Sequence, residues 1–132
     1  MRLYYFDSSA IVKLVVTDQE TDAITSLSSS DSLWLTSDLA VTEVQRACLR
    51  YSAQAMADAQ EVLRHLATIQ LTSDVYDKAG RLPSAYLRSL DAIHIAAAQT
   101  LGSELTAMVT YDKRLSDAAK QHGLRVVSPG AK

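Results

Sequence analysis

Hydrophobic and polar positions follow two rhythms along this chain. Short apolar runs of strand character recur at Arg2–Phe6, Leu33–Thr36, Ala67–Leu71, Leu105–Thr110 and Leu124–Val127. Between them the period lengthens to that of a helix. Ser9–Val16 reads as a short buried helix, and Asp18–Ser28 as an amphipathic one with Ala23, Ile24 and Leu27 on one face. A cap at Ser37 or Asp38 opens a helix to about Tyr51, whose stripe is Ala40, Val44, Ala47, Cys48 and Tyr51. Further helices are predicted over Ala53–Leu66, over Ser73–Leu82 before Pro83, over Ser89–Leu101 before Gly102, and over Lys113–His122 before Gly123. Strands alternating with helices predict an α/β domain, a central parallel sheet of four or five strands flanked by helices. Helices outnumber strands, so some must pack in pairs. Neither a repeat nor a boundary divides residues 1–132, and a single domain is expected.

Composition narrows the picture. With 132 residues, 48% hydrophobic, four Gly and two Pro, the chain is neither disordered nor a turn-rich all-β protein. The single Cys48 excludes an intramolecular disulfide framework, and no paired Cys or His suggests zinc. No apolar run approaches the roughly 20 residues of a membrane span. No secretory leader opens the chain, so a cytoplasmic protein with no membrane attachment is expected. Thirteen Lys and Arg against 15 Asp and Glu give a net charge of −2, which argues against a basic, nucleic-acid-coating protein.

Four acids change that view. Asp7 and Asp112 stand where a strand gives way to a helix, positions that gather on the carboxyl edge of an open α/β sheet. Read singly, each is an ordinary helix cap. Asp91 lies in the first turn of the very apolar Ser89–Leu101, where the helix dipole favours an acid but burial without a partner would be costly. Glu43 sits at the margin of its helix's apolar stripe and could simply pair with Arg46 one turn on. Brought together, however, four carboxylates repel unless a divalent cation neutralises them. Ligation by oxygen alone suits Mg²⁺, with Mn²⁺ as the alternative. Such a centre can acidify a bound water and serve phosphodiester cleavage. Setting the four acids aside leaves the rest of the chain with a surplus of basic residues, which suits a polyanion.

Three stretches carry a family resemblance. Tyr5-Phe6-Asp7-Ser8-Ser9-Ala10 resembles the opening motif of PIN-domain ribonucleases, and Leu87–His94 resembles the helix of their third acid. Val109–Leu115 followed by Gly123–Gly130 is similar to their closing strand–helix–strand. Order, spacing and length match over essentially the whole chain, and the subgroup it most resembles is the VapC-type toxins of bacterial toxin–antitoxin pairs. The resemblance implies an Mg²⁺-dependent endoribonuclease site at Asp7, Glu43, Asp91 and Asp112, with the Thr110 hydroxyl supporting the metal or its waters. It also implies a homodimer and a cognate antitoxin whose tail fills the site. Glu43 has the least distinctive flanks, and Leu115 replaces an aromatic common among relatives.

The expected mechanism is metal-assisted hydrolysis of RNA. Asp7 and Asp91 would ligate directly, and Asp112 and Glu43 would act through water or orient the attacking water. Ser8 and Ser9 have no neighbouring base and read as capping residues. His94, three residues after Asp91, can reach the site, but a satisfied histidine in a crowded helix is the plainer reading. His65 and His122 read as surface or helix-end residues, and Trp34 as core. Lys13, Arg46, Arg88 and Arg114, with Arg50 and Lys113, are candidate phosphate contacts. A phospho-receiver domain is disfavoured because Asp7 lacks an acidic neighbour and no late Lys precedes a Pro. A catalytically inactive PIN-like module that binds RNA or protein is the remaining alternative.

Overall fold

The computed structural model describes residues 1–16 and 18–131. Five strands are formed by Arg2–Phe6 (β1), Ser32–Ser37 (β2), Ala67–Ile69 (β3), Leu105–Val109 (β4) and Val126–Val127 (β5). All neighbouring pairs run parallel, in the order β3-β2-β1-β4-β5. The chain steps outward from β1 through β2 to β3, then crosses to the other side of β1 and steps outward again. Its direction of travel therefore reverses between β1 and β4, and the carboxyl ends of those strands border a natural crevice.

Among the described residues, seven α-helices lie in the crossovers that parallel strands require. Ser8–Val15 (α1) and Thr21–Thr25 (α2) join β1 to β2, while Asp38–Leu49 (α3) and Ala53–Arg64 (α4) join β2 to β3. Ser73–Gly80 (α5) and Ser89–Gln99 (α6) lead to β4, and Lys113–Gln121 (α7) leads to β5. As expected from their number, helices pack in pairs, α3 on α4 and α5 on α6.

The period of two in the central strands divides the core. Tyr4 and Phe6 of β1, with Ala107 and Val109 of β4, pack on the side of α1–α4 against Ile11, Ile24, Val44 and Cys48. Tyr5 and Met108 point the other way, toward Val75, Ile95, Ala96, Leu115 and Ala119 of α5–α7. Trp34 packs on Phe6 with ring centroids 4.6 Å apart and lies partly buried at the margin of that core. The small Ala92, Ala96, Ala97 and Ala98 are buried and let α6 lie close against the sheet.

Several boundaries differ from expectation. The helix expected from Asp18 starts at Thr21, because the Asp18 carboxylate accepts the Glu20 amide at 2.9 Å and holds Lys13 in an ion pair. Tyr51 lies beyond the end of α3 and is 64% exposed, so the α3 stripe ends at Cys48. Leu71 lies outside β3, its amide donating to the Asp38 carboxylate. The last strand shrinks to two residues, and the chain beyond it closes with Gly130 at φ +77 against Ala23 of α2.

Candidate active site

At the end of β1, Asp7 is buried, and both of its oxygens are claimed. It caps α1 by accepting the Ala10 amide at 3.0 Å. Its Oδ1 also accepts from the Ser9 hydroxyl at 2.7 Å, and its Oδ2 accepts from Thr110 Oγ1 at 2.6 Å. Each hydroxyl has one proton, spent on Asp7, and each then accepts an amide. Ser9 receives Tyr111 N–H at 2.9 Å and Thr110 receives Asp112 N–H at 3.1 Å. Burial nevertheless pushes the Asp7 carboxyl above the ordinary range, against the opposing pull of Thr110, Ser9 and the Ala10 amide.

Ser9 thus corrects the expectation made from the sequence. The cap of α1 is Asp7, and Ser8 and Ser9 are its first-turn residues. Ser9 spans the crevice between β1 and β4. Its signal in the sequence was only its place two residues after a strand-ending acid. Asp112 caps α7 by accepting the Leu115 amide at 3.1 Å and is otherwise exposed. The capping role of both strand-ending acids is therefore real, and it coexists with their convergence on Thr110.

The other two acids approach from helices. Asp91 lies in the first turn of α6, half-buried. Its carboxyl is raised, first by burial and then by the charge of Asp112, with a smaller push from Glu43; His94 and Arg88 oppose the rise. Glu43 on α3 does not pair with Arg46. Its Oε1 lies 2.8 Å from His94 Nε2, and the opposite ring nitrogen of His94 lies 2.8 Å from the Tyr5 hydroxyl. The Tyr5 hydroxyl is also 3.0 Å from Ser37 Oγ. Burial holds this phenol far above its usual range. Ser37 stands at the N-cap of α3 but makes no capping bond with its side chain, and Asp38 binds Leu71 instead. Tyr5, Ser37 and the contact of His94 with Glu43 were not foreseen. The available signal was a histidine in a helix too apolar to leave it unpartnered.

The donors are all oxygen, and the charges of Asp112 and Glu43 already bear on Asp91, a repulsion that a hard cation would relieve. Among the described residues no three Asp, Glu, His or Cys side chains close into a ready cage. An all-oxygen donor set is the chemistry of hard cations such as Mg²⁺ rather than of zinc.

The basic candidates divide. Lys13 is bound to Asp18 at 2.9 Å and Glu20 at 3.5 Å and lies over the Tyr111 ring, so its charge is already engaged. Arg88, Lys113 and Arg114 line an open cleft of about 530 Å³ with Asp112 and Asp117. An adjoining hollow brings Asp91 beside Arg88 and Arg114. Arg46 and Arg50 stand exposed on or just past α3. His65 is exposed, and His122, at the end of α7, meets the Ala118 and Pro83 carbonyls.

Comparison with known proteins identifies the family. The family profile of the PIN domain matches residues 4–121. Ribonuclease VapC46 of Mycobacterium tuberculosis is 43% identical over 129 residues, covering 98% of this chain and 99% of the relative. Among solved structures, VapC20 of Mycobacterium tuberculosis, described as a sarcin-ricin loop cleaving toxin, superposes with a TM-score of 0.72 at 21% identity. That match covers 96% of this chain and 99% of VapC20. VapBC2 of Rickettsia felis, bound to a DNA fragment from its promoter, gives 0.74 at 13% identity, covering 95% of this chain and 97% of that one. With a matching profile over most of its length, a full-length relative well above 30% identity and the five-stranded parallel sheet, this chain belongs to the PIN-domain family, among the VapC ribonucleases.

Proposed function

We propose that the chain is a metal-dependent endoribonuclease that hydrolyses RNA phosphodiester bonds, and that it serves as the toxin of a type II toxin–antitoxin pair in the cytoplasm. One observation carries the chemistry: acids from separate parts of the fold act on Asp91, and Asp7 ends the strand beside them at the carboxyl edge. Asp91 feels the charges of Asp112 and Glu43, and the Thr110 hydroxyl ties the Asp7 carboxylate to the backbone amide of Asp112.

Bound Mg²⁺, or Mn²⁺ in its place, would activate water and neutralise charge at the scissile phosphate. Asp7 and Asp91 would hold it directly. Asp112 and Glu43 would act through water or orient the attacking one. Thr110 and Ser9 keep Asp7 from rotating, which preserves the geometry between turnovers. Arg88, Arg114 and Lys113 give the flanking phosphates a positive border. A homodimer and an antitoxin that covers the acidic edge complete the reading, whose ribonuclease part the full-length likeness to ribonuclease VapC46 supports.

The test is cleavage of total RNA and of a short single-stranded RNA with Mg²⁺, Mn²⁺ or EDTA, comparing wild type with Asp7→Asn and Asp91→Asn. Metal-dependent cleavage by wild type alone is expected. Cleavage that survives in both variants would place the chemistry elsewhere. Absence of cleavage together with absence of metal binding would leave a PIN-like binding module.

A further inference from the structure

A buried chain of polar groups runs beneath the acids from the sheet to α3. Ser37 ends β2, Tyr5 lies in β1, His94 lies in α6 and Glu43 in α3. The successive contacts are 3.0, 2.8 and 2.8 Å. Tyr5 and Ser37 are fully buried and His94 is 3% exposed. Only the last member reaches solvent, the Glu43 side chain being 24% exposed.

The proton count gives the chain a direction. The phenol has one proton and two neighbours. If it donates to Ser37, its oxygen is left to accept from His94 Nδ1–H. If it donates to an unprotonated Nδ1, the Ser37 hydroxyl turns and donates to it. In the first wiring a second proton, on Nε2, makes His94 an imidazolium that donates to the Glu43 carboxylate, and in the second the neutral ring donates the same Nε2–H. The remaining tautomer would set a nitrogen lone pair against a carboxylate oxygen.

A core residue chosen for shape alone does not account for this. Leucine or methionine would fill the same space in an alanine-rich helix. Neither would join three other elements through two opposed ring nitrogens. Free glutamate samples many rotamers, whereas here one oxygen is tied to an imidazole that is itself anchored in the sheet. Among the described residues Glu43 Oε2 has no hydrogen-bond partner, which leaves it available to the acidic edge.

We propose that His94, anchored through Tyr5 to Ser37, is the positioning residue that holds the Glu43 carboxylate at the site. The proposal rests on the nuclease reading for what Glu43 does there, and its test separates the two.

Wild type, Glu43→Gln, His94→Leu, His94→Gln and the double variant Glu43→Gln/His94→Leu would be compared. Mn²⁺ affinity would be read by calorimetry, kcat and KM on RNA, and folding by thermal melting. His94→Leu should lower Mn²⁺ affinity or kcat by ~10- to 100-fold, with little change in KM. His94→Gln, which restores an N–H donor toward Glu43, should recover most of that loss. The double variant should fall no further than Glu43→Gln alone. Additive losses, or a His94→Gln as impaired as His94→Leu, would overturn the proposal while loss of cleavage in Asp7→Asn kept the nuclease reading. If Glu43→Gln changed neither Mn²⁺ affinity nor kcat, the proposal would fall for want of a role at Glu43. Should His94→Leu fail to fold, Tyr5→Phe, which cuts only the anchor, must reproduce a smaller loss of the same kind or the proposal is overturned.

Discussion

Thr110→Val isolates one polar atom at the centre of the site. Valine matches threonine in shape, and Thr110 is fully buried, so no cavity opens and only the hydroxyl is lost. That hydroxyl donates to Asp7 Oδ2 at 2.6 Å, a bond to a carboxylate, for which ~1.5–3 kcal/mol is typical. The Asp112 amide also loses its acceptor, but it lies at the edge of the crevice on an exposed residue, where water can replace it. Ser9 and the Ala10 amide still hold Asp7, so ~2 kcal/mol is the working figure, or about 8 °C in Tm for a domain of this size.

The loss should depend on pH, and its sign follows from Asp7. Burial already places the folded carboxyl above its unfolded value, and Thr110 is the strongest group opposing the rise. Removing it raises the carboxyl further and penalises the ionised native state more than the neutral one. Below the folded pKa of Asp7 the variant loses a neutral hydrogen bond of about 1 kcal/mol. As pH climbs through that pKa, which lies above the ordinary carboxylate range, the destabilisation grows toward the full figure. Urea melts over a series of pH values in EDTA would follow that growth, with Thr110→Ser as the control that keeps the hydroxyl. A penalty independent of pH, or a Thr110→Ser as unstable as Thr110→Val, would refute the reasoning.

Three further outcomes can be checked. Asp7→Asn should abolish cleavage yet raise Tm at pH 8, because a carboxyl raised by burial costs stability as pH rises through its folded pKa; a lower Tm would mean that its hydrogen bonds outweigh desolvation. Mg²⁺ should stabilise wild type, by ~2.7 kcal/mol at a hundredfold excess over Kd, and should leave Asp7→Asn and Asp91→Asn unmoved in the same thermal scan. Cys48, fully buried with its thiol pushed up by burial, should resist a thiol reagent at pH 7.5 in the native protein and react fully in urea; rapid native labelling would contradict the packing of α3 against α1.

What could be read from the sequence was local. Strand runs ending in Asp7 and Asp112 announced both the parallel sheet and the edge where acids gather, because those features depend on neighbours in the chain. The wiring could not be read this way. Glu43 had an eligible partner three residues away in Arg46, yet it bonds to His94, which α6 brings within 2.8 Å. Asp18 looked like a helix start, but its carboxylate serves a turn and Lys13 instead. Tyr51 fitted the period of a stripe whose helix had already ended at Leu49. In each case a contact or a chain break outside the periodic window decided the matter. Ser9 illustrates the same point, since its bond to the Tyr111 amide depends on β1 and β4 meeting.

That meeting bears on how such a protein can be synthesised. Asp7 and Thr110 lie 103 residues apart, and the Ser9 clasp depends on Tyr111 at almost the same distance. A nascent chain displays Asp7 early, well before β4 exists to pair with β1. The carboxylate then has neither of its long-range restraints, and Asp112 has not yet been brought to it. An enzyme that destroys RNA would thus remain unarmed until β4 has been made and has docked beside β1.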